Sequence, residues 1–108
     1  MAGYLLIASH DPFESVEIQS FFALAQSLAR HEETVTVLLV HNGVLPARAG
    51  VGARWIDERV GAGVEVLADD FSLRERGITA ERLAVGVTAV SLDVAIEQLS
   101  QGRKALFH

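Results

Sequence analysis

The period of the apolar positions switches repeatedly along the chain. Tyr4-Leu5-Leu6-Ile7-Ala8 is a short unbroken apolar run, the pattern of a strand covered on both faces. Val35 to Val40 is a second, rich in β-branched residues. Val64 to Ala68 is a third, Val85 to Val90 a weaker fourth, and Lys104 to His108 a short fifth. Helical spacing fills the intervals. Asp11 is placed as an N-cap, with Pro12 at the first helical position and Glu14 three residues after the cap. Ile18, Phe21, Phe22, Ala25, Leu28 and Ala29 then form one apolar stripe. A shorter helix is predicted near Arg54 to Val60, with Trp55, Ile56 and Val60 inward and Gly61 as its stop. Phe71 to Arg76 reads as two turns closed by Gly77, and Thr79 to Arg82 as one more. The last helix opens at Ser91, has Asp93 in its first turn, buries Leu92, Ala95, Ile96 and Leu99, and stops at Gly102.

Strand and helix alternate with short connections throughout. The pattern predicts an α/β fold: a single three-layer domain over residues 1–108, with a mostly parallel five-stranded sheet and right-handed crossovers. A hydrophobic fraction of 50% and a mean hydropathy of +0.30 in 108 residues supply one real core and exclude disorder. No apolar run reaches the length of a membrane span. The N-terminus has no basic residue ahead of its apolar stretch, so no secretory signal and a cytoplasmic location are expected.

Charge and cysteine content narrow the chemistry. The net charge is −5, and the basic residues are Lys104 and eight Arg scattered between Arg30 and Arg103. No basic run tracks a phosphate backbone, so direct nucleic-acid binding is not expected. With no cysteine there is no thiol nucleophile, thiolate metal site or disulfide.

In an open parallel sheet, ligands collect beyond the carboxyl ends of the strands. Those ends carry Ser9-His10-Asp11-Pro12, His41-Asn42-Gly43, Asp69-Asp70 and His108. Ser9-His10-Asp11 is not a catalytic triad, because three consecutive residues at a strand end point in different directions, and no G-x-S-x-G elbow is present. His10, His41 and Asp69 are chemically adequate for a ligand or a divalent metal if the first three strands are neighbours. The alternative is that the histidines bond loop backbone and that Asp69 or Asp70 caps a helix. The first strand–helix turn is a poor phosphate cradle, because Pro12 lacks an amide hydrogen and Asp11 repels an anion.

Four stretches resemble the DsrE/DsrF/DsrH-like superfamily of small sulfur-relay proteins, over nearly the whole chain. His10-Asp11-Pro12-Phe13-Glu14-Ser15 is similar to the "SPFES"-type turn that opens the DsrH (TusB) branch. His41-Asn42-Gly43-Val44 resembles a strand-then-"QDGV" element, and Val66 to Ile78 the DsrH segment "VYALxEDLxARGL". Leu92 to His108 is similar to the closing helix and short strand, with an aromatic near Phe107. The resemblance implies an oligomer of like or mixed DsrE/F-like subunits that passes persulfide sulfur, toward tRNA wobble-uridine thiolation or sulfur oxidation. It places Asp69 where the DsrE (TusD) branch has its cysteine, and Ser72 where a second sometimes occurs. Neither a carboxylate nor an alcohol can carry sulfane sulfur, so no catalytic role transfers to this chain.

The expected function is a non-catalytic, DsrH-like adaptor or structural subunit without cofactor or resident metal. Its expected interface is built on Phe13, Trp55 and an unusually apolar loop from Val44 to Gly52 that includes Val44 and Leu45. The alternatives are a small-ligand or metal-binding domain at His10, His41 and Asp69, and an enzyme using the same groups.

Overall fold

The computed structural model describes residues 3–11, 16–31, 33–50 and 53–108. Five strands form one sheet: β1 (Tyr4–Ala8), β2 (Val35–Leu39), β3 (Glu65–Asp69), β4 (Val87–Val90) and β5 (Lys104–Phe107). Their order is β4-β3-β2-β1-β5, and all four pairings are parallel, where the sequence predicted a mostly parallel sheet. Leu6, Val37, Val66 and Val87 lie in register across four strands. β2, in the middle, is buried at every residue, which explains its unbroken apolar run.

The connections explain the layers. The chain steps in one direction from β1 to β4 through α1 (Val16–Arg30), α2 (Ala53–Gly61) and α3 (Asp70–Glu75). It then reverses through α4 (Asp93–Ser100) to place β5 beyond β1. Crossovers of one hand must put helices on opposite faces when the stepping direction reverses. Accordingly, Phe22 and Ala25 of α1, Ile56 of α2 and Leu73 of α3 pack with Leu6, Val37 and Val66 in one core. Ala95 of α4 packs with Leu5, Leu38 and Leu67 on the other.

The two faces are unequally covered. Five strands at about 4.8 Å spacing span about 19 Å, whereas an eight-residue helix is about 12 Å long and about 10 Å wide. α4 therefore leaves part of its face open. Leu92, Ile96 and Leu99, expected to be buried, are 51%, 66% and 45% exposed; only Ala95 of that set is buried. Phe107 is 70% exposed on β5 beside it. Val60, expected inward on α2, is also exposed.

The 44–52 loop gives a second correction. Residues His41–Ala47 form a 3-10 helix that the apolar periodicity did not predict. Val44, Pro46 and Ala47 are buried in it, and Leu45 is half-buried. Val44 thus belongs to the chain's own core and is not an exposed interface residue. Gly43 makes this possible: a Cβ there would lie 2.2 Å from the carbonyl oxygen of Ala8. Phe13, the side chain of Trp55 and the Pro12–Glu14 half of the first predicted cap lie outside the described residues.

Candidate functional site at the carboxyl rim

The sheet order makes β1, β2 and β3 neighbours, so the ends carrying His10, His41 and Asp69 are adjacent. The side chains nevertheless divide into two groups. His10 turns toward β5, where its Nδ1–H donates to the carbonyl oxygen of His108 at 3.2 Å. Ser9 donates to the same oxygen from its backbone amide and its hydroxyl, both at 3.0 Å. The His10 and His108 rings meet edge-on at 5.7 Å, and His108 Nε2 lies 3.7 Å from the Glu17 carboxylate. These contacts join the end of the edge strand β5 to the end of its neighbour β1.

The second group links the ends of β2 and β3. Asp69 caps α3: its Oδ2 accepts from the Ser72 amide at 3.1 Å and from the Ser72 hydroxyl at 2.7 Å. The Ser72 oxygen in turn accepts from the His41 backbone amide at 2.9 Å. His41 has a φ of +52°, in the left-handed region that few residues with a side chain adopt. That turn points the chain from β2 into the 3-10 helix. The helix-cap reading of Asp69 is therefore observed, and Gly77 (φ +67°) follows the end of the same helix as expected.

His41, Asp69 and Ser72 line one side of a cavity of ≈ 410 Å³. The remainder is apolar, with Ile7, Leu38, Val40, Phe71, Leu92, Ala95 and Phe107. His10 does not line it. The cavity suits an apolar body with one polar end, within the usual size range of small-ligand pockets. The Ser72 hydroxyl donates to the Asp69 carboxylate and accepts from the His41 backbone amide, and among the described residues it bonds no imidazole. Among the described residues no group of three or more His, Cys, Asp or Glu is placed to hold a metal ion. No described helix is long and apolar enough to cross a membrane.

Ser72 and the apolar wall of this cavity escaped the residue-level reading of the sequence. Ser72 carried one usable signal, because a hydroxyl three residues after an N-cap aspartate lies within reach of its carboxylate. Phe107 carried none, because its neighbours come from β1 and α4.

No family model and no curated protein matches the sequence. Solved structures do match in fold. The chain is 19% identical to the YchN protein of E. coli with a TM-score of 0.88, each chain covered over 100% of its length. It is 20% identical to MTH1491 of Methanobacterium thermoautotrophicum, a protein of unknown function, with a TM-score of 0.80 and 100% of both chains covered. BT1422 of Bacteroides thetaiotaomicron, a conserved protein of unknown function, is 17% identical with a TM-score of 0.74, over 97% of this chain and 94% of the other. At these identities the likeness is one of architecture: the chain has a fold similar to that of YchN, a protein of the DsrE/DsrF-like family.

Proposed function

We propose that this protein is a non-catalytic, DsrH-like subunit of a cytoplasmic sulfur-relay assembly and docks related subunits of its own fold on the α4 face of its sheet. The observation that carries the docking role is the incomplete cover of that face. Leu92, Ile96 and Leu99 follow helical spacing along α4, yet they are 51%, 66% and 45% exposed beside the exposed Phe107. A contiguous apolar patch of this kind marks an association surface. The absence of cysteine supports a role in holding a partner rather than in carrying sulfur. The specific tie to sulfur relay comes from the sequence resemblance.

Light scattering of the purified chain at micromolar concentration tests the docking surface. The expected mass is a multiple of 11.6 kDa, falling toward 11.6 kDa in Ile96→Ser/Phe107→Ser. If the unmodified chain has a steady mass of 11.6 kDa, alone and with cysteine-bearing proteins of the same fold, the proposal fails.

A second reading rests on the ≈ 410 Å³ cavity, which would take a small apolar ligand with its polar end toward His41, Asp69 and Ser72. Its walls include Leu92 and Phe107, so occupancy by ligand and docking of a partner compete. Fluorescence titration with an apolar reporter dye distinguishes the two. Displacement of the dye by small apolar alcohols or amines favours the ligand; loss of dye binding only on assembly favours the partner.

A further inference from the structure

Arginines that are scattered in sequence come together where the end of α3 meets the segments around Arg48 and Arg82. Arg48, Arg76 and Arg82, three of the eight arginines, line a cavity of ≈ 450 Å³ with Gly77, Ile78 and one acid, Glu81. Backbone pairing builds its wall. The Ala49 amide donates to the Arg82 carbonyl at 2.6 Å, and the Ala84 amide donates to the Ala47 carbonyl at 2.7 Å. Arg48 sits in that bridge, opposite Leu83.

The guanidinium groups are held mainly by neutral acceptors. Arg76 donates from Nε and Nη2 to Asn42 Oδ1 at 3.2 and 3.1 Å, and from Nη1 to the Ser72 carbonyl at 3.2 Å. These acceptors are neutral, and Glu75 adds one ion pair to Arg76 Nη1 at 3.8 Å. Arg48 donates from Nε to the Leu45 carbonyl at 3.0 Å, which leaves its outer nitrogens free among the described residues. The side chain of Arg82 has no bond to any described residue. Among the described residues Glu81 accepts only a 3.4 Å bond from Thr79 and pairs with none of the three arginines. Three positive groups and one negative group therefore face one concavity in a chain whose net charge is −5. Like charges gathered this way repel unless an anion sits among them. Guanidinium groups match the oxygens of phosphate in charge and in fork geometry.

We propose that this cavity binds a small organic phosphate, its phosphate group held by Arg48 and Arg82 against the fixed guanidinium of Arg76. A phosphate supplies the counter-charge that Arg48 and Arg82 lack among the described residues. The volume leaves room for an organic body beyond the phosphate, in the range usual for small-ligand sites.

Calorimetric titration of pyrophosphate into the full-length chain tests this, with inorganic sulfate and a short single-stranded RNA as parallel arms. Saturable pyrophosphate binding is expected, weakened by roughly tenfold or more in Arg48→Gln or Arg82→Gln, the scale of one lost bond to a charged group. Arg82→Lys should retain part of the affinity, and Arg30→Gln at the end of α1 should retain all of it. Thermal melts confirm that each variant folds, and light scattering confirms that its assembly state is unchanged. No saturable heat, equal affinity for sulfate, tighter binding of RNA, or full binding by Arg82→Gln would each overturn the proposal.

Discussion

The amide and the hydroxyl of Ser72 donate to a single oxygen of Asp69, at 3.1 and 2.7 Å, and both residues are almost completely buried. The pair starts α3, and through the bond from the His41 amide it ties the end of β2 to the end of β3. It also stands where the resemblance places cysteines, so a structural clamp occupies the position of a sulfur carrier.

Replacing Asp69 by Ala should cost about 1–3 kcal/mol, because two buried donors on Ser72 lose their acceptor. Asp69→Asn should cost less, because an amide oxygen can accept both bonds. Denaturant melts measure this, with Ser72→Ala closing a double-mutant cycle whose coupling should fall within about 0.5–3 kcal/mol. Equal losses for Asn and Ala would show that the carboxylate acts through its charge and not as an acceptor.

Two glycines should respond oppositely to the same methyl group. At Gly43 a Cβ would meet the Ala8 carbonyl at 2.2 Å, and both partners are backbone, so Gly43→Ala should lose about 1–3 kcal/mol or more. At Gly61, the last residue of α2, a Cβ would meet nothing within 4 Å, and Gly61→Ala should be neutral or gain up to about 1 kcal/mol. Melts of the two variants side by side check this; a tolerated Gly43→Ala would mean that the 3-10 helix can move away from β1.

Two phenylalanines separate folding from association. Phe22 is wholly buried under β1 and β2, so Phe22→Ala should cost about 3–5 kcal/mol at any protein concentration. Phe107 is 70% exposed, so Phe107→Ala should barely change the stability of the isolated chain. It should, however, lower the concentration dependence of the melting temperature that an assembly produces. A loss from Phe107→Ala that matches Phe22→Ala and does not depend on concentration would place Phe107 in the chain's own core.

Much of the fold was legible from local pattern. The unbroken run from Val35 to Leu39 marks a strand with both faces covered, and β2 is the middle strand. The glycines after Arg76 and Gln101 mark helix ends, and both have positive φ. Asp69 was legible as a cap because its carboxylate reaches an amide three residues later, a short-range relation carried by the sequence itself. Boundaries moved where the ends of the pattern were ambiguous: Val40 left β2, and Asp69 joined β3.

Relations between distant segments were decided only by the tertiary structure. Apolar spacing on α4 predicts a buried stripe, yet spacing cannot show that a single short helix covers a five-stranded face, and so Leu92, Ile96 and Leu99 stay exposed. The apolar loop after β2 looked like a contact surface; Gly43 lets it fold back onto Ala8, and Val44 fills the core. The arginines show no cluster along the chain because Arg48, Arg76 and Arg82 come from three separate segments. Sequence alone determined the strands, the Asp69 cap and the missing thiol, because each depends on residues within a turn or two or on composition. Which faces are left open and which charges share a cavity depend on how the crossovers stack, and only the assembled sheet decides that.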